Sequence, residues 1–145
     1  LTGAATNTWT IAGWIGVGAP LDMENTITLL TYSGKIIQVG GNGLGGNVLF
    51  VWGTNIFEPY YGTIPHVAVV NNGVDVLIYI NGSLHTTKVG YGGPSDGDVD
   101  FFTNFDHANT VAVHADEWGL WKKALSASDI EYLYNSGSGR SYPFL

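Results

Sequence analysis

The densest group of residues able to hold a ligand by charge is Asp96-Gly97-Asp98-Val99-Asp100, followed by Asn104 and Asp106. Aspartates at the first, third and fifth positions of a loop open a calcium site, because this hard cation takes its ligands from oxygens. The rest of the loop signature departs from that pattern: its glycine position is Phe101 and its closing glutamate position is His107. Asp96, Asp98 and Asp106 are therefore candidate calcium ligands, with a solvated acidic loop as the alternative. Gly41-x-Gly43-x-x-Gly46 matches a dinucleotide spacing, but the residues after it form another strand pattern. Without a helix N-terminus nothing there holds a pyrophosphate.

Hydrolysis of a glycoside with retention needs two carboxyls about 5–5.5 Å apart. The glutamates, Glu24, Glu58, Glu117 and Glu131, fall on separate segments. Asp116 and Glu117 adjoin on an alternating strand and so point to opposite faces. There is no cysteine, and no serine stands in a nucleophile-elbow motif. These residues point away from catalysis. Sugar recognition needs only an aromatic ring against the C–H face of a pyranose and polar groups for its hydroxyls. Trp52, Asn55, Tyr60, Tyr61 and Tyr91 lie in or beside expected loops and are the candidate ligand-binding residues. The competing fate of aromatics in a β protein is the core.

The elements that must position these groups are short strands. Thr8–Val17 is rich in Trp, Ile and Thr and ends at Gly18-Ala19-Pro20. Asn25–Tyr32 and Lys35–Val39 form a hairpin across Ser33-Gly34, and Val48–Trp52 follows a glycine-rich loop. Gly53–Pro65 is irregular. His66–Asn71, Val74–Ile80 and Ser83–Val89 form a meander joined at Asn72-Gly73 and Asn81-Gly82. Asn-Gly is the strongest short hairpin signal, since both central residues of a type I′ turn need φ > 0. Asn81-Gly82-Ser83 is also a glycosylation sequon, although the turn accounts for it. Asp98–Phe105 and Val111–Trp121 complete the strands. On the last of these, Asp116 shares a side with His114, Trp118 and Leu120, so the alternation expects a buried carboxylate that binds loop amides or a cation. Ser126 with Asp129 is a capping-box pattern, Leu125 with Ile130 a hydrophobic staple, and Asn135-Ser136-Gly137 a helix stop.

Four stretches carry a family resemblance: Trp9-Thr10-Ile11-Ala12-Gly13-Trp14, His66-Val67-Ala68-Val69, Tyr79-Ile80-Asn81-Gly82, and Asp116-Glu117 through Ala124-Leu125-Ser126 to Leu133-Tyr134-Asn135 and Gly137. In order and spacing the chain resembles the laminin-G-like branch of the concanavalin A-like lectin/glucanase superfamily. The resemblance implies an all-β fold: a two-sheet antiparallel jelly-roll sandwich with one short C-terminal helix. It implies a sandwich over residues 1–137 and an extension over 138–145. Family members carry a strand or two before the Trp9–Trp14 strand, so the expectation is a partial module of something longer, or one completed by a neighbouring chain. The superfamily's laminarinase-type glycosidases place glutamate, aspartate and glutamate on one strand, and no such set occurs here.

Composition bounds the partners. The chain has 145 residues, enough for one core, with 21 glycines and a formal net charge of −7. Five Lys/Arg against twelve Asp/Glu exclude a nucleic-acid footprint and oppose an anionic membrane surface. No apolar run reaches the ~18 residues of a membrane span. The reading is a non-catalytic recognition module of a larger extracellular or cell-surface protein, binding glycan or protein through its loops, with calcium as the one candidate cofactor. A structural or adhesive part of a virion or surface filament, contacting neighbouring chains, is the alternative, and a glycoside hydrolase the least supported.

Overall fold

The computed structural model describes residues 8–17, 26–32, 35–41, 47–51, 54–56, 65–92, 99–104 and 113–140. Its elements run β1 (Trp9–Val17), β2 (Thr26–Tyr32), β3 (Lys35–Gly41), β4 (Asn47–Val51), β5 (Thr54–Ile56), β6 (His66–Asn71), β7 (Val76–Ile80), β8 (Ser83–Lys88), β9 (Val99–Asn104), β10 (Val113–Trp121) and α1 (Ala127–Tyr134), with a 3₁₀ turn over Asn135–Gly137. The protein is thus mostly antiparallel β-sheet with one short helix. The chain divides into two compact units. One holds Gly16–Ile64 and Asp96–His114, the other Gly3–Ile15, Pro65–Ser95 and Ala115–Leu145.

The first unit contains a five-stranded sheet in the order β5-β4-β3-β2-β9. Neighbours pair antiparallel, with Tyr32 opposite Lys35 across the expected hairpin. Pairing of β2 skips from Thr28 to Leu30 against both β3 and β9, the mark of a bulge. The sequence pattern missed β5, because three residues are too few to show an alternation.

The second unit contains the sheet β10-β1-β6-β7-β8. All six residues of β6 are buried, as expected for a central strand covered on both faces. On one face Ala12, Ala68, Val70 and Tyr79 pack with Leu125, Ile130 and Leu133 from α1 and its approach. The other face presents Trp9, Ile11, Ile15, Val67, Val69, Val76 and Ile78, each at most 2% exposed. Thr10 fastens the approach to α1: its buried Oγ1 donates to Lys123 O at 2.9 Å and accepts from Leu125 N at 2.9 Å.

The helix forms as its termini dictate. Ser126 accepts from Asp129 N, and the Asp129 side chain accepts from Ser126 N at 2.9 Å, so the capping box closes. The Ser126 hydroxyl, which donates to Asp129 Oδ2 at 2.7 Å, and then the Ser126 amide hold the Asp129 carboxyl below its usual range. The staple residues Leu125 and Ile130 are 4% and 0% exposed. Asn135 ends α1 in the left-handed conformation at φ 48°.

The two Asn-Gly dipeptides part company. Asn81 and Gly82 have φ 49° and 78° and join Ile80 to Ser83 as a two-residue turn. Asn72-Gly73 does not. Asn71 pairs with Val76, leaving a four-residue link in which Gly73, but not Asn72, has positive φ. Asn72 Oδ1 instead accepts from Val74 N and Asp75 N at 2.9 and 2.8 Å, which stabilises a longer Asx-type turn.

His66 is 2% exposed, its Nδ1 has no hydrogen-bond partner, and burial lowers its pKa from 6.5 to about 4. Between those values the unfolded chain binds a proton that the folded chain refuses. The His66 contribution therefore lowers stability as pH drops from 6.5 toward about 4 and levels off below, by up to about 3 kcal/mol. Urea unfolding at pH 7 and at pH 4.5 measures this. His66→Gln is expected to be less sensitive to that change than the wild type, and equal sensitivity would remove His66 as the cause.

Candidate functional site

Tyr91 is the predicted ligand-binding residue whose side chain falls among the described ones, and it is 59% exposed. It lies past the end of β8, beside the link between β6 and β7. Lys88 Nζ sits 5.7 Å from its ring centroid, within cation–π range. Val74 and Val89, 66% and 78% exposed, bring apolar surface to the same two segments.

The backbone beneath this tip is fixed by side chains. Asn71 Oδ1 accepts from Gly73 N at 2.8 Å, and Asp75 Oδ1 accepts from Gly90 N at 2.8 Å, tying the two segments together. Gly92 N donates to Val74 O at 2.8 Å. A Cβ at Gly92 would collide with the backbone of Val74 and Asp75, so only glycine allows this approach. The result is an exposed aromatic ring on a braced turn, with an ammonium and a carboxylate close by. Such a surface can stack against the C–H face of a sugar and bond its hydroxyls.

The other predicted residues are not brought to this tip by anything described. Asn55 lies in β5 opposite Phe50, with its side chain outside the described ones. Trp52, Tyr60, Tyr61, Asp96, Asp98 and Asp106 lie outside the described residues. Among the described residues no three His, Cys, Asp or Glu side chains cluster to hold a metal. Sequence reasoning passed over Lys88, Asp75, Val74 and Val89. The signal available for Asp75 was its place three residues after Asn72, where an Asx turn competes with a tight hairpin.

Asp116 is exposed, contrary to the alternation, and its Oδ1 accepts from Glu117 N at 2.8 Å. The cause is Glu117, whose φ of 52° breaks the two-residue period of β10. Glu117 is the carboxylate that does the binding. Its Oε2 accepts from Trp14 Nε1 at 3.0 Å and from Arg140 N at 2.8 Å. Trp118 Nε1 donates to Trp14 O at 3.0 Å, so β10 and β1 exchange indole bonds in both directions. Trp14, His66 and Tyr134 gather alongside, with ring centroids 5.3–6.2 Å apart.

No protein-family model matches the chain, and no curated protein does. Its fold nevertheless recurs in solved structures. The binding domain of Paraclostridial Mosquitocidal Protein 1 matches with a TM-score of 0.64 at 19% identity, over 90% of this chain and 37% of that one. A structure of botulinum neurotoxin type C, which depends on interaction with two ganglioside molecules to enter cells, matches at 0.61 and 22%, over 89% and 35%. The binding domain of botulinum neurotoxin DC in complex with rat synaptotagmin II matches at 0.62 and 20%, over 89% and 35%. The chain spans little more than a third of these structures, and the likeness is one of fold. Among the described residues no helix is long and apolar enough to cross a membrane.

Asp75→Ala is expected to cost about 1 kcal/mol, the worth of one hydrogen bond to a charged group at a partly exposed site, with faster amide exchange at Gly90. Glu117→Ala leaves two donors without their charged acceptor and is expected to cost about 2–4 kcal/mol by urea unfolding. An Asp116→Ala control is expected to stay within about 1 kcal/mol of wild type.

Proposed function

We propose that the chain is a non-catalytic recognition module of a larger extracellular or surface protein, binding glycan or protein through the turns of a laminin-G-like jelly-roll sandwich. The observation that supports this most is the fold it shares with the binding domains of toxins, two of which are described by their ganglioside or protein partners. Tyr91 supplies the chemistry: an aromatic ring on a braced turn stacks on a pyranose at little entropic cost, because the turn is ordered before the ligand arrives. Lys88 and Asp75 flank it as groups for hydroxyls. Trp52, Asn55, Tyr60 and Tyr61 belong to the same proposal as further ligand contacts, and Asp96, Asp98 and Asp106 as calcium ligands. Two carboxylates among the described residues are committed to structure rather than to hydrolysis. Glu117 is committed to Trp14 and Arg140, and Asp129 to the cap of α1.

A glycan array probed with wild type and with Tyr91→Ala tests the reading. Wild type is expected to bind a defined set of glycans, and Tyr91→Ala to lose about 1–3 kcal/mol of that affinity, the range for an aromatic stack with its desolvation. The Tyr91→Ala melting temperature should stay near that of wild type, because the ring is mostly exposed. Absence of any glycan signal, with ordered oligomers burying more than about 1,000 Å² per contact, would favour an assembly part of a virion or filament.

A further inference from the structure

Arg140 is the only arginine in a chain of net charge −7. Its guanidinium is held in place without meeting a carboxylate among the described residues. Cζ lies 3.8 Å over the centroid of the Tyr132 ring, and Nε donates to Tyr132 O at 3.0 Å. The backbone is pinned as well: Arg140 N donates to Glu117 Oε2, Asn135 Nδ2 donates to Gly139 O at 2.8 Å, and Gly139 N donates to Tyr134 O at 3.3 Å. Gly139 has φ 63°, and a Cβ there would strike the Glu117 carboxylate, so the residue before Arg140 has to be glycine. Among the described residues Arg140 forms no ion pair. A guanidinium held over an aromatic ring, with Nε spent on Tyr132 O, keeps its two Nη groups for an anion, and that fork matches a carboxylate in bidentate fashion.

Two further observations bear on what the fork meets. Tyr132 is 44% exposed, so the stack lies at the surface within reach of a ligand. The negative charge is also unevenly distributed. The unit that carries Arg140 holds four of the five basic residues and five of the twelve acidic ones. Within this unit the charge is therefore nearly balanced. Glu117, which meets the Arg140 backbone, has its Oε2 already taken up by the Trp14 indole and the Arg140 amide.

We propose that the Arg140–Tyr132 stack is a subsite for an acidic sugar: Tyr132 carries the guanidinium on its ring, and the fork takes the sugar's carboxylate. This rests on the recognition reading above and adds the class of glycan to it. Ser136 and Ser138, exposed on the same turn, supply hydroxyls for the rest of such a sugar.

The test is an NMR titration of the whole chain, labelled with ¹⁵N, with the methyl glycoside of N-acetylneuraminic acid, its carboxyl methyl ester, and methyl glucuronide. The acidic sialoside is expected to shift the Arg140 Nε–H and the Tyr132 and Ser138 amides, and the ester to leave them still. A response to the glucuronide as well would widen the class to sugar acids in general, and its absence would narrow it to sialosides. Arg140→Lys keeps the charge but not the fork and is expected to weaken binding about tenfold, with the thermal midpoint unchanged. Arg140→Gln is expected to abolish it. Equal response to acid and ester, or wild-type binding by Arg140→Gln, would overturn the subsite. Array binding of neutral glycans lost in Tyr91→Ala would in that case leave the recognition reading standing. No binding to any glycan on the array would sink the subsite and leave the recognition reading with protein partners alone.

Discussion

One carboxylate holds the sheet of the second unit to everything that follows it. Glu117 reaches from β10 to the Trp14 indole on β1 and to the Arg140 amide beyond α1. To do so it adopts φ 52°, which costs a non-glycine residue roughly 1–2 kcal/mol. Two charge-assisted hydrogen bonds offset that cost. The consequences run in both directions along the chain. Backwards, the turn at Glu117 throws Asp116 out to solvent. Forwards, it fixes where the chain must be after α1, and it leaves room only for glycine at position 139. The helix between these anchors has eight residues, too few to persist alone in water. It is held by its own capping box, by Leu125, Ile130 and Leu133 in the core, and by a segment tied down at both ends.

The same unit shows which features a sequence exposes and which it hides. Strand β6 was legible from its unbroken apolar run, and α1 from Ser126, Asp129, Leu125 and Ile130, because the forces that form them act between neighbours. The Asn81-Gly82 turn was legible for the same reason. Asn72-Gly73 was not, although it is the same dipeptide. Its outcome depends on Asn71, Asn72 and Asp75 competing for nearby amides, and Asp75 is held in turn by Gly90, fifteen residues away. The exchange of Asp116 for Glu117 as the binding carboxylate was hidden more deeply. Nothing local marks Glu117 for a positive φ; the reasons are Trp14 and Arg140, both far off in sequence. Among the candidate ligand residues, Tyr91 was visible by its type and by its place after a strand. Lys88 and Asp75 acquire a role only through the contact between two turns. The pairing of Arg140 with Tyr132 has a helix end and a left-handed turn between its members, so no spacing rule would have found it.

The two candidate surfaces share a physical logic. In each, a side chain that would normally lose much freedom on binding is already confined. Lys88 is near the Tyr91 ring over a turn closed by Asp75, and the Arg140 guanidinium lies over the Tyr132 ring beside a turn closed by Glu117. Confinement matters most for sugars, whose hydroxyls exchange one hydrogen-bond partner for another at little net gain. What remains as driving force is ring stacking and, for an acidic sugar, the charged fork. Each such contact is weak by itself, so a single module of this kind binds a single sugar loosely. Useful strength then depends on joining sites, whether two on one chain or one on each of several copies, because a second contact made within the same assembly is paid for at a high effective concentration rather than from bulk solution. That constraint ties the unit's small, braced surfaces to the reading of the chain as one part of something larger.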